Sequence, residues 1–178
     1  MSEIRSLQQE ILSGLCEDLN KRHIAAVLSG EDEKYLSLII NGIPVQGDVF
    51  MDIAFMPVRP EMAGISFCVL EGRFPEYKDF APEETAELTV VLAALNSTLE
   101  AGSYYFKLTE QEDESVRAGE LTYRYTVPIV PEFSADDFLE TLNRALDMAA
   151  FDLKRTLPPL ISFVKKESTN EELMKTII

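Results

Sequence analysis

Between Lys34 and Leu70 short strand-like runs separated by turn signals follow one another, the clearest with apolar side chains on every second residue, and this constrains the fold more than any other feature. Val49, Met51, Ile53 and Phe55 alternate with Asp48, Phe50, Asp52 and Ala54, the period of a strand with one apolar and one mixed face. Lys34 to Ile40 reads as a preceding strand, ended by the tight-turn dipeptide Asn41-Gly42. Arg59-Pro60-Glu61-Met62-Ala63-Gly64 breaks the run before Ile65, Phe67 and Val69 begin another. The stretch predicts an antiparallel meander.

Helical spacing lies on either side of it. Ile4, Leu7, Ile11, Leu15 and Leu19, widened by Leu12 and Cys16, mark one face of a helix from about Ser6 to Lys21. His23 to Leu28 follows as a first strand, and Ser29-Gly30-Glu31-Asp32 as a turn. Ala81-Pro82-Glu83-Glu84 opens a second helix, since proline suits the first turn and glutamates favour the positive end of the dipole. Its body, Leu88 to Leu99, is apolar almost all round, so the sheet and other helices must cover it, or a second subunit must. Gly102 is expected to end it.

Tyr104, Phe106 and Leu108 then alternate, and an acidic connection leads to Leu121, Tyr123, Tyr125, Val127 and Ile129 on one strand face. Thr122, Arg124 and Thr126 share the other face, and Pro128 and Pro131 close the run. Ser134 with Asp137 reads as a capping box for a long helix carrying Phe138, Leu142, Ala145, Ala149 and Leu153. Pro158-Pro159 should stop that helix. The pattern predicts an α+β class: one antiparallel sheet of about five to six strands packed against three helices. It forms a single domain over 1–164, with 165–178 as a loosely held C-terminal tail.

Function classes are removed by charge and by missing chemistry. A net charge of −15 in 178 residues, 31 acidic against 16 basic, repels phosphate backbones and anionic membranes. Nucleic acid and membrane are therefore not expected partners. The first ten residues lack the apolar core of a signal peptide, and Cys16 and Cys68 are too few for a disulfide framework, so both thiols are expected reduced in a cytoplasmic protein. Gly42 to Gly47 has the glycine spacing of a phosphate-binding loop, but Asp48 stands where the lysine must be. His23 is the sole histidine, without partners for a zinc site or a proton relay. Glu110, Glu112, Asp113 and Glu114 lack the glycine and flanking helices of an EF-hand and read as a solvated hairpin tip. Asp48 and Asp52, roughly 13 Å apart by strand rise, are too far apart to act together on one bond. No catalytic residue, metal ligand or cofactor site is expected, and the chain is read as a non-enzyme.

Three stretches carry a resemblance: "LNSTLEAGSYYFKL", "GELTYRYTVPI" and "SADDFLETLNRALDMAAFDLKRTLPPL". Over about Ser6 to Phe163 the chain resembles the YbjN-like family of bacterial sensory-transduction regulators, which shares the fold of type III secretion chaperones. The acidic connection from Glu110 to Ala118 is longer than that family's usual hairpin. The resemblance implies a protein-binding regulator or chaperone-like adaptor, with a homodimer as the common assembly. The alternative is a small-molecule sensor or small enzyme with a pocket between sheet and helices. Phe74, Tyr77 and Phe80, in a proline-containing connector, are the candidate partner-binding residues, since exposed aromatics anchor interfaces. The favoured reading is that they fold over the core as the chain crosses from sheet to helix, because long connectors pin themselves this way.

Overall fold

The computed structural model describes residues 2–30, 35–56, 66–74, 77–80, 82–109, 117–129 and 133–177. Helix α1 (Ser2–Lys21) leads into β1 (Ala26–Ser29), β2 (Tyr35–Ile39), β3 (Phe50–Phe55), β4 (Ser66–Arg73) and β5 (Tyr77–Phe80). Then come α2 (Pro82–Asn96), β6 (Ser103–Thr109), β7 (Arg117–Ile129), α3 (Ala135–Val164) and α4 (Asn170–Ile177). All pairings are antiparallel, in one sheet. Thr122 faces both Arg73 and Tyr105, and Gly119 faces both Tyr77 and Leu108. Because a strand has only two edges, β4 and β5 share one edge of β7 and β6 takes the other. The order is thus β1-β2-β3-β4-β7-β6, with β5 prolonging β4. The predicted α+β class and meander are the observed ones.

Alternation decides which face is covered. Leu36, Leu38, Met51, Ile53, Cys68, Leu70, Tyr123 and Val127 are buried on one side of the sheet. There α1 packs on β1 and β2, α3 on β7, and α2 on β6. The two long helices contribute Ile11, Leu15 and Leu19, and Phe138, Leu142, Ala149 and Leu153, to the same continuous core. The Ser134–Asp137 capping box starts α3 as expected, each side chain bonded to the other residue's backbone N–H.

Pro128 shows how the sheet tolerates a residue without a donor. The Phe67 carbonyl accepts from the Met56 N–H on the β3 side. Phe67 and Pro128 are therefore a non-hydrogen-bonded pair, and the missing N–H points to an edge that β6, starting at Ser103 opposite Arg124, does not reach.

Several expectations are corrected. Pro158 and Pro159 do not stop α3, which continues to Val164. Leu157, Leu160 and Ile161 are buried on either side of the prolines, and this anchorage outweighs the two lost helical hydrogen bonds. The C-terminal segment is not a loose tail: α4 docks Leu173 and Ile177 into the core. Helix α2 is buried on one side only, by Leu88, Val91, Leu92 and Leu95. Its outward side carries small or β-branched residues, with Val90 65% exposed. Gly102 does not cap it, because α2 ends at Asn96. A Cβ at Gly102 would lie 2.3 Å from the Tyr123 ring, so this glycine makes room for a tyrosine.

Two helix ends instead use non-glycine residues in the left-handed region, His23 (φ 62°) after α1 and Lys166 (φ 61°) after α3. Ile24 N–H bonds to Leu19 O and His23 N–H to Asn20 O; Glu167 N–H bonds to Ser162 O and Lys166 N–H to Phe163 O. Both are Schellman closures, and His23 serves as the turn residue of the first.

Candidate protein-binding surface

Among the described residues, the opposite face of the sheet carries no helix. In register across β1, β2, β3, β4 and β7 stand Val27, Ser37, Asp52, Glu71 and Arg124. Beside them runs a row of Ile39, Phe50, Arg73, Thr122 and Tyr105, and on the other side Tyr35, Ala54, Val69 and Thr126. Five strand spacings and four residues of rise make this bare face roughly 24 Å by 13 Å, on the order of 300 Å².

Its charges are paired and two of its aromatics lie beside arginines. The Asp52 carboxylate accepts from Ser37 Oγ at 2.5 Å and from Arg73 Nη2 at 2.9 Å, while Arg73 Nε lies 2.7 Å from its second oxygen. Arg124 donates to Glu71 Oε2 from Nη2 at 2.7 Å and Nε at 3.2 Å. Each guanidinium also sits 5.9 Å from a ring centroid, Arg73 over Phe50 and Arg124 over Tyr105. Exposed ion pairs of this kind contribute only about 0–1 kcal/mol to stability. They set two guanidinium groups beside two aromatic rings. The formal charge of the four ionised groups cancels, in a chain whose net charge is −15. Arginine and aromatic residues are the enriched composition of protein interfaces.

A second polar constellation is largely buried. Asp152, on α3, is 0% exposed. Its carboxylate accepts from the Glu100 and Ala101 N–H groups at 3.0 Å each and from the Tyr123 hydroxyl at 3.1 Å, with Arg155 3.9 Å away. The Tyr104 hydroxyl meets Thr156 Oγ1 at 2.8 Å, and Arg155 reaches the carbonyls of Thr98 and Ile177. Burial raises the pKa of both tyrosines, and the Asp152 charge raises it further. Apart from Arg155 Nε, which is buried without a hydrogen-bond partner among the described residues, these groups are spent on one another: the network ties the α2–β6 connection and the end of α4 to α3.

Both ends of the sheet are plugged by an asparagine amide. Asn96 Oδ1 accepts from Tyr104 N–H at 2.7 Å and its Nδ2 donates to Tyr104 O at 3.0 Å, on the open side of β6. Asn20 makes the same two bonds to Ala26 on the open side of β1, at 3.3 and 3.0 Å. Such plugs limit edge-to-edge pairing.

The residues proposed from sequence fall differently. Phe74 is not an exposed anchor: it is 7% exposed, its ring centroid 6.1 Å from that of Tyr104, so it folds over the core. Tyr77 and Phe80 lie on β5, and their side chains are outside the described residues, as is the acidic tip from Glu110 to Glu114. Asp48 precedes β3, whereas Asp52 is tied up with Arg73. Cys16 and Cys68 are free thiols, and burial pushes the Cys68 thiol up to about 12. Among the described residues no cluster of metal-ligating side chains is present, and no helix is long and apolar enough to cross a membrane. The bare face itself was visible in the sequence only as the mixed side of each strand; Glu71, Arg73 and Tyr105 carried no separate signal.

No family model matches the chain, and no curated protein matches it. Among solved structures, the crystal structure of YbjN from E. coli, a proposed transcription regulator, is similar at 12% identity. The similarity covers 83% of this chain and 91% of that one, with a TM-score of 0.45.

Proposed function

We propose that this protein acts without chemistry of its own, as a protein-binding regulator or chaperone-like adaptor that receives its partner on the bare face of the sheet. The carrying observation is the pair of arginines, ion-paired to Asp52 and Glu71 and set beside the Phe50 and Tyr105 rings, on a sheet face that no helix covers among the described residues. A standard interface buries about 800 Å² per side, so a partner must extend beyond the central rows onto the rim. Tyr105, 52% exposed, and Val27, 59% exposed, mark two ends of that contact. The same reading extends to self-association, in which the outward stripe of Ala86, Val90 and Ala93 on α2 would be covered by a second copy.

The test is capture from the native host with the tagged protein, repeated with Arg73→Glu and Arg124→Glu combined. A partner retained by the parent and lost by the variant, with circular dichroism unchanged, supports the reading. Equal capture by both would reject the sheet face as the binding surface.

A further inference from the structure

The two sheet edges are not equivalent. Just before β1, Ala25 bonds across to β2, its carbonyl accepting from Ile39 N–H at 3.1 Å. By the alternation of an antiparallel ladder, Ala26 and Leu28 turn their N–H and C=O groups outward. Ala26 has both groups occupied by the exposed Asn20 amide, which stands where the peptide group of a neighbouring strand would stand. Leu28 has no such plug among the described residues. Its outward edge opens on a shallow, open cleft lined by Ser13, Cys16, Glu17, Asn20, Lys21 and Leu28. A helix face running beside an open strand edge is the arrangement that accepts an added strand.

We propose that this cleft takes an extended, basic segment of a partner protein as an additional strand on β1. The segment pairs first with Leu28, then with Ala26 as the Asn20 amide withdraws. The half-buried Cys16 and Leu28 receive one small apolar side chain, and the alternate side chain falls beside exposed Val27 on the bare sheet face. Basic flanks follow from charge. Glu17 borders the cleft with its ion-pair partner Lys21 3.8 Å away, so the lining itself is neutral. The preference comes from Glu10, one heptad before Glu17 on the same helix face, and from the whole chain's −15. The inference rests on the reading of the protein as a protein binder, but on a different surface.

The probe is an acetylated, amidated hexapeptide of alternating lysine and valine, added to ¹⁵N-labelled protein and followed by amide NMR. Shifts centred on Ala26 and Leu28 are expected, absent with a glutamate–valine hexapeptide. N-methylation of alternate probe residues should abolish binding in one frame and spare it in the other, since only one set of N–H groups faces β1. Asn20→Ala should bind the probe about fivefold tighter, the loss of one competing hydrogen-bond pair. Equal binding by both methylated frames, no shift at Ala26 and Leu28, or unchanged affinity in Asn20→Ala would overturn the proposal. Concentration-dependent shifts there without probe would overturn it too, by assigning the edge to a second copy. Arg73→Glu with Arg124→Glu leaves the cleft intact, so failure of the sheet face and failure of the cleft are read separately.

Discussion

Replacing Asp152 by alanine tests whether the buried network is structural. The carboxylate satisfies three donors, the N–H groups of Glu100 and Ala101 and the Tyr123 hydroxyl. Each buried donor left unpaired costs about 1–3 kcal/mol, but the two backbone groups lie in a partly buried connection that water can reach. Low-end costs for those two and a full cost for Tyr123 give about 3–5 kcal/mol, the range for breaking a buried ionic contact by removing one partner. That is a large share of the about 5–15 kcal/mol holding a domain folded. Urea unfolding should therefore show a lower midpoint with an unchanged slope. Tyr123→Phe alone should cost only about 1 kcal/mol, because the carboxylate keeps two donors. In the Asp152→Ala background it should cost nothing or restore stability, since the stranded hydroxyl is gone, giving a coupling of about 1–2 kcal/mol. A loss under 1 kcal/mol for Asp152→Ala, or additive effects in the double variant, would refute this account of the network.

Alkaline pH should unfold the protein cooperatively. The folded pKa of Cys68, Tyr104 and Tyr123 is raised by burial, so their contribution is complete below the unfolded values of 9.0 for Cys68 and 10.0 for the tyrosines. Above these it falls by about 1.4 kcal/mol per pH unit per group, and a circular-dichroism titration from pH 8 to 12 should show steepening loss beyond pH 10; a flat profile would contradict the assigned burial. His23→Gly and Lys166→Gly should each raise stability by roughly 0.5–1 kcal/mol in urea unfolding, because relief of the left-handed conformation exceeds the entropic cost of glycine. If α2 forms a dimer interface, light scattering should give a mass near twice 20.0 kDa, reduced to one copy by Val90→Lys; the monomer mass at every concentration would remove the dimer.

What was legible follows the range of the interaction. Alternation and helical spacing are local, and they located α1, α2, α3 and the meander. The buried stripe was right along α3 and at Ile11, Leu15 and Leu19 of α1, whereas Leu7 in the predicted stripe is 40% exposed and α2, read as apolar all round, is buried on one side. The capping box at Ser134, spanning three residues, was readable for the same reason. Pro158-Pro159 misled because proline is a local signal, while the buried Leu157, Leu160 and Ile161 that hold the helix through it are a tertiary one. Gly102 misled similarly: its proximity to the end of α2 suggested a cap, but the constraint comes from Tyr123 on β7. In α4, Leu173 and Ile177 lie four residues apart, too short a stripe to announce a docked helix.

The candidate surface was illegible because its pairs depend on strand register. Arg73 reaches Asp52 across 21 residues and Arg124 reaches Glu71 across 53. A slip of one residue between β3 and β4 would turn the apolar set outward, so the hydrophobic pattern forbids it. A slip of two keeps every side chain on its face, yet sets Asp52 opposite Val69 or Arg73 instead of Glu71. Alternation therefore cannot choose among these registers; packing must. Gly72 lies opposite both Met51 and Tyr123, and a Cβ there would come within 3.2 Å of the Phe74 ring. The observed register thus places the one residue without a side chain beneath two large side chains and a folded-over aromatic. That fit on the buried face sets which charges meet on the bare one, so the arginine–aromatic pattern a partner would read is determined from the core side of the sheet.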